Sequence, residues 1–383
     1  MTAPKRVAIV GAALSDCGRV DDKDVYELHH QGTSRALADA GLAKEDIGGF
    51  MSCGTGILPP VEICEYLGIQ PTWFDSTQVG GSSWEVMVEH ALAAISAGLT
   101  DIVVLSYGST TRADLKKGLR PANLSWSASG PGQFDMPWGH TLIAKHAMVA
   151  RRHMHEFGTT IEQLAEISVS ARYNASLNPD AFYRKPLTIE EVNAAPMVAD
   201  PFTTLHCCIR SDGGGAVVLA SEERAKDLQR QPVWVLGTGE ATGHYVMSEW
   251  DDFTESPCVR SGKTAFERAG LTPQDMDVLE LYDSFTSTLL LTLEGLGFCK
   301  KGEGGSFVED GKLRVGGALP TNTDGGGLSC AHPGMRGMFL LVEAARQLRG
   351  ECGDRQVPDA KLACVNGTGG FFSSTSTAIL GVD

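Results

Sequence analysis

Four short segments carry the residue types from which a site for carbonyl chemistry could be built. They are "VGGSSW" at 79–84, "LYDSF" at 281–285, "GGGLSCAHPGMRG" at 325–337 and "NGTGG" at 366–370. Each reads as a strand end or a glycine turn, where unpaired backbone N–H groups suit an oxyanion. Gly81, Ser82, Gly369 and Gly370 are therefore candidate oxyanion or substrate-positioning residues, together with Asp283. Tyr282 follows the apolar run "DVLEL" and His332 lies in the glycine loop, offering a phenol and an imidazole for proton transfer. A free phenol has a pKa near ~10 and an imidazole near ~6.5, so His332 is the easier base and Tyr282 needs help from its surroundings. Taken singly each has a plainer role: the tyrosine as packing, the His-Pro as a turn, Asp283 as a cap. Their combination raises the case for a site.

The elbow itself is odd. Residues 75–98 read as a strand end, a glycine turn and an amphipathic helix closed by Ala97-Gly98. A turn of this kind normally displays a nucleophile. Here the tip is Gly80-Gly81-Ser82-Ser83, with no cysteine. Two thiols elsewhere, Cys330 beside His332 and Cys364 before the "NGTGG" turn, are the alternative nucleophiles.

Other motifs fail. "VRSGKT" lacks the glycine a phosphate loop needs, since Pro257 stands there. Gly237-x-Gly239-x-x-x-Gly243 is not followed by a helix, which argues against a dinucleotide fingerprint. Adjacent Cys207-Cys208 and the His153-x-His155 pair are poorly spaced for one metal, so no metal is expected.

The chain has 383 residues, 42% hydrophobic and 21% charged, enough for two or three cores that exclude water. A net charge of -15 argues against nucleic acid or an anionic membrane surface as partner. No run is long and apolar enough to span a membrane. Ten cysteines without a CxxC pair fit reduced thiols, and a cytoplasmic location is expected.

β-rich runs alternate with amphipathic ones, the pattern of α/β layers. The two halves also match each other. "ALADAGLAKEDIGGF" at 36–50 aligns without a gap to "AFERAGLTPQDMDVL" at 265–279, and Val7-x-Ile9-x-Gly11 aligns to Val233-x-Val235-x-Gly237. We read an internal duplication packed about a pseudo-twofold, with 1–111 and 201–225 as one half and 226–383 as the other. Residues 112–200 break the pattern and form an inserted loop subdomain. Its Trp126, Phe134, Met136 and Trp138 could meet a hydrophobic ligand or a partner or be surface packing, and Lys145, Arg151 and Arg152 read as a solvated basic face first and as a phosphate site second.

In order and spacing the four segments resemble those of the thiolase superfamily, most closely its sterol-carrier and lipid-transfer branch and the steroid side-chain-cleaving acyl-CoA aldolases. "NPDAFYRKPLTIEEV" and "PFTTLHCCIRSDGGGAVVLAS" are similar to that branch's junction between loop domain and core. The resemblance implies a duplicated five-layer αβαβα fold. It also exposes departures. Counting back from Gly98 puts Gly81 where a thiolase has its acyl-accepting cysteine, and Val365-Asn366-Gly367-Thr368-Gly369 stands in place of the late Cys-x-Gly. The side-chain aldolases carry Tyr-Asp-His-Phe where this chain has Tyr282-Asp283-Ser284-Phe285. In those aldolases the second catalytic group is a tyrosine in the loop that here holds His332, which leaves the division of roles between Tyr282 and His332 open.

Without a thiolate no acyl-enzyme forms. The expectation is a retro-aldol cleavage of a β-hydroxyacyl-CoA, giving a ketone or aldehyde and a shorter acyl-CoA. Acyl transfer through an unaligned cysteine and a non-catalytic acyl-CoA or lipid carrier are the alternatives. No cofactor is expected, CoA being part of the substrate. The resemblance further implies a homodimer and an OB-fold acyl-CoA-associated partner.

Overall fold

The protein is described by a computed structural model covering residues 6–119, 130–138 and 141–383. Its strands are β1 (Val7–Leu14), β2 (Gly49–Ser52), β3 (Trp73–Asp75), β4 (Ile102–Ser109), β5 (Met197–Ala199), β6 (Phe202–Thr203), β7 (Gly213–Ser221), β8 (Val233–Thr242), β9 (Val278–Leu281), β10 (Leu362–Gly369) and β11 (Ser374–Gly381). Nine of them form one sheet in the order β3-β2-β4-β7-β1-β8-β11-β10-β9, while β5 and β6 make a separate ribbon.

That order is a palindrome of pairings. β2 runs parallel to β4, which is antiparallel to β7, which is antiparallel to β1. β9 runs parallel to β10, which is antiparallel to β11, which is antiparallel to β8. The halves meet where β1 pairs antiparallel with β8, Ala8 opposite Trp234 and Ile9 opposite Val233. The local details repeat too. Helices Val25–Ala40 and Cys258–Ala269 both end on a left-handed glycine, Gly41 and Gly270, and short turns at Lys44–Asp46 and Pro273–Asp275 follow. A Cβ on Gly11 would lie 2.2 Å from the Ala36 carbonyl oxygen, and one on Gly237 would lie 2.3 Å from that of Ala265. Glycine in the strand and alanine in the helix are what let each outer helix lie close against its sheet. The residues that align in sequence are thus the ones at this contact.

Alternation along the strands sorts side chains into layers. Val7 and Ile9 join a central core with Trp84, Met87, Leu340 and Leu341, contributed by helices Ser83–Ser96 and Gly337–Leu348. Ala8 and Val10 face outward, against Ala36, Leu37 and Ala40 of helix Val25–Ala40. Leu279, Cys364 and Ile379 face outward on the other half, against Ala265 and Phe266. The two central helices touch strands of both halves, so the layers run helix, first sheet half, helix pair, second sheet half, helix, the two halves being joined through β1 and β8.

Between β4 and β7 lie helices Thr111–Lys116, Leu142–Phe157, Ile161–Leu177 and Ile189–Ala194 and the β5–β6 ribbon. Ile161–Leu177 is started by a capping box between Thr160 and Gln163. Ala147, Ala150, Leu164 and Ile167 from this region pack with Leu281, Leu289 and Leu290 of the second half. It therefore roofs the sheet half to which it is not joined in sequence. Phe134, Met136 and Trp138 are exposed, and Trp126 lies outside the described residues.

Candidate active site

The elbow is held as a bare turn. Gly80 adopts φ +81°, a conformation glycine takes without strain, and the turn Gly80–Ser82 leads straight into helix Ser83–Ser96. As the first residues of that turn, Gly80 and Gly81 have backbone N–H groups with no acceptor inside it. The turn is pressed on the end of β10: a Cβ on Gly80 would sit 2.8 Å from Gly369 Cα and 3.0 Å from Gly370 N. Ser82 is buried and used structurally, its Oγ 2.9 Å from Ser374 Oγ, which in turn donates to the Val79 carbonyl at 2.6 Å.

Gly81 faces a tyrosine. A Cβ there would lie 2.2 Å and 2.3 Å from Cε2 and Cζ of Tyr282, and 2.4 Å from the Thr368 carbonyl oxygen. No side chain, and so no thiol, fits at residue 81 while the phenol holds this position. The elbow's missing side chain is replaced in space by the ring of Tyr282, which leaves β9 with its N–H bonded to the Asn366 carbonyl.

Tyr282 Oη lies 3.0 Å from His332 Nε2, with the rings edge to face at 5.6 Å. Burial pushes the phenol pKa well above its usual value, while the Arg336 backbone N–H favours the phenolate. Arg336 is the N-cap of helix Gly337–Leu348, so the phenol oxygen sits at a helix N-terminus. Desolvation, helped by the Arg336 cation, lowers His332 to about 4. At neutral pH the pair is a neutral phenol beside a neutral imidazole.

Asp283 is committed to the glycine loop. Its carboxylate accepts the N–H groups of Gly327 at 2.7 Å and Leu328 at 3.2 Å, which fixes the turn leading to His332. Gly326 allows this approach, because a Cβ there would fall 2.0 Å from Asp283 Oδ2. Arg336, fully buried, bonds both oxygens of Asp324 at 2.6 and 2.7 Å and donates to the Ala331 carbonyl at 2.8 Å. Its Nε is 3.6 Å from Asp283. Desolvation raises Asp283 to about 6 against the pull of Arg336.

Two braces were missed in sequence. Ser211 Oγ accepts the His332 N–H at 2.9 Å, and Tyr107 donates to the Pro333 carbonyl at 2.5 Å while accepting from Met335 N–H at 3.2 Å. They lie more than a hundred residues from the loop they hold, and no local pattern marks them. Arg336 sat in a quoted segment but carried no signal for its role.

Both candidate thiols are buried. Cys364 is fully buried on the outer face of β10, away from Val365 and the central core. Cys330 is buried beneath the loop, its sulfur accepting from the Asn178 amide at 3.6 Å, and burial raises its pKa well above normal. Among candidate cations, Lys145 is buried and bonded to Asp135 at 2.8 Å, whereas Arg151 and Arg152 are exposed and pair with Asp200 and Glu156. Among the described residues no cluster of three His, Cys, Asp or Glu could hold a metal, and no helix is long and apolar enough to cross a membrane.

Residues 239–382 match the family described as thiolase C-terminal domain-like. Over 98% of this chain and 99% of its own length, the 17-hydroxy-3-oxo-4-pregnene-20-carboxyl-CoA lyase of Mycobacterium tuberculosis is 35% identical. An acetyl-CoA acetyltransferase of Methanothermobacter thermautotrophicus is 34% identical over 97% of this chain and 98% of its own. The solved Ltp2-ChsH2(DUF35) aldolase superposes with a TM-score of 0.89 at 30% identity, covering 100% of this chain and 99% of that one. This chain belongs to the thiolase superfamily, in the branch that holds its acyl-CoA-cleaving aldolases.

Proposed function

We propose that the protein cleaves the Cα–Cβ bond of a β-hydroxyacyl-CoA by a retro-aldol step, releasing a ketone or aldehyde and a shorter acyl-CoA, without an acyl-enzyme. The observation that carries this is the Tyr282 ring standing against Gly81, which leaves no room for a nucleophile and puts an acid–base group there instead. The lyase and aldolase relatives support it.

In this reading Tyr282 takes the β-hydroxyl proton as it passes its own to His332 Nε2 across the 3.0 Å bond. The Cα–Cβ electron pair moves to the α-carbon as the carbonyl forms, and the thioester enolate rests on backbone N–H groups of the elbow and of the Gly369-Gly370 turn. The imidazolium returns its proton through Tyr282 to the α-carbon, so the proton lost by the hydroxyl is the one gained by the shorter acyl-CoA. In this proposal Tyr282 and His332 act as one relay. Asp283 and Arg336 position the histidine. A steroid side chain is the proposed acyl group, on the strength of the lyase relative's substrate.

Two partners belong to the proposal. β3 is an edge strand, and Ile57, Leu58 and Phe74 around it are exposed apolar side chains that a second copy would cover. Phe134, Met136 and Trp138, exposed by 63%, 51% and 75%, fit an OB-fold acyl-CoA-associated protein, and the aldolase neighbour is itself named for two components. Acyl transfer is the second reading, favoured by the archaeal acetyltransferase relative, and it requires a thiol at the site.

The test is incubation with a CoA thioester bearing a tertiary β-hydroxyl, with and without an OB-fold partner, and mass analysis of products. A ketone and a shortened acyl-CoA are expected; recovery of intact substrate under both conditions would overturn the reading.

A further inference from the structure

One turn after Gly81, on the helix it leads into, Glu85 is fully buried, and neither carboxyl oxygen has a hydrogen-bond partner among the described residues. Its slot is cut by two glycines. A Cβ on Gly367 would lie 2.2 Å from Glu85 Oε2, and one on Gly337 would lie 2.6 Å from it and 2.5 Å from the Gly81 carbonyl. Gly337 opens the second central helix, so the carboxyl sits between β10 and the start of that helix. It is close enough to Tyr282 for its charge to bear on the phenol.

An ionised carboxylate in such a slot has nothing to repay its lost hydration. Desolvation accordingly raises Glu85 to about 8. Among the described residues, the surrounding elements supply no cation to reverse this. β10 presents Ala363, Val365 and Gly367 on this face, and β4 presents Tyr107, whose hydroxyl is committed to Pro333 and Met335. From the loop before helix Gly337–Leu348 come His332, bonded to Tyr282, and Arg336, whose guanidinium is drawn to Asp324 and Asp283. On its own helix Glu89 is tied to Arg268.

We propose that Glu85 is a positioning residue for the relay: held neutral, it lets Tyr282 shed its proton, and its ionisation switches the reaction off on the alkaline side. As its own proton leaves for His332 ahead of the arriving hydroxyl proton, Tyr282 gains phenolate character, which a neutral Glu85 leaves unopposed and a carboxylate beneath it repels. The inference rests on the aldolase reading and adds its upper pH limit.

The test compares wild type with E85Q. Wild-type kcat/KM should fall about tenfold between pH 7 and pH 9, and E85Q should hold its plateau across that range. An equal fall in E85Q would overturn the proposal, as would loss of activity in E85Q at every pH with its fold intact. A second readout is independent of turnover. Glu85 binds its proton in the folded state up to about 8, while an unfolded glutamate releases it near ~4.3. Wild-type Tm should therefore drop relative to E85Q as pH rises from 5 to about 8 and run level above. A Tm difference independent of pH would sink the proton on Glu85 even if the aldolase reading stands. Absent substrate cleavage with the expected Tm trend would sink the aldolase reading and the role in the relay with it, leaving only a buried acid.

Discussion

The two central helices are equivalents in the duplication: Ser83–Ser96 leads into β4, and Gly337–Leu348 into β10. Their N-termini have been equipped in opposite ways. The first opens on Gly80-Gly81, with no side chain at the tip. The second is preceded by His332 and capped by Arg336, with Asp283 and Asp324 buried around it. One end is bare and the other loaded, and the Tyr282 ring stands against the bare one. Equivalent helix ends of one duplication thus present a bare turn on one side and a buried ionic cluster on the other, and the proposed relay depends on that difference. The contrast can be broken from either side.

The heaviest loss is expected from Y282F, which removes the relay oxygen and keeps the ring against Gly81. Turnover should drop by about 10²–10⁴ with thermal stability nearly unchanged, read by product formation and calorimetry. H332Q should follow closely. Equal activity in Y282F would place the chemistry elsewhere.

D283N should cost less activity but more fold. It removes a buried charge that pairs with Arg336 and accepts two N–H groups, a change of about 3–5 kcal/mol in chemical unfolding. Its pH profile sharpens the point. Wild-type activity should fall as pH drops through about 6, where Asp283 takes up a proton and its hold on the loop weakens, and only then through about 4, where His332 charges and can no longer accept. D283N should lack the first of these steps.

G81A attacks the empty side. Its methyl would meet the Tyr282 ring, so a destabilisation of about 1–3 kcal/mol is expected, largely recovered in the double variant G81A/Y282A. At the small end, C330A and C364A should leave turnover within about twofold and cost only the stability of a small buried cavity.

Much of the frame was legible. The match of 36–50 with 265–279 foretold two equivalent units because its conserved spacing records a real contact, Gly11 on Ala36 and Gly237 on Ala265. Tyr282, His332 and the bare elbow were readable from residue type at strand ends and turns. The contact of Tyr282 with Gly81 was not, since two residues two hundred positions apart leave no periodic trace. Nor was Glu85, which sits in an apolar stretch of helix as an ordinary helical glutamate would, and whose burial depends on glycines in β10 and in the second central helix. Lys145 was misread for the same reason: its partner Asp135 comes from a turn no pattern announced.

The most direct measurement is the intact mass of the protein during turnover of a β-hydroxyacyl-CoA in D₂O, with the released acyl-CoA analysed in the same sample. The account predicts an unchanged protein mass and one deuterium at the α-carbon of the shortened acyl-CoA. An acyl adduct on Cys330, Cys364 or any other thiol would contradict it.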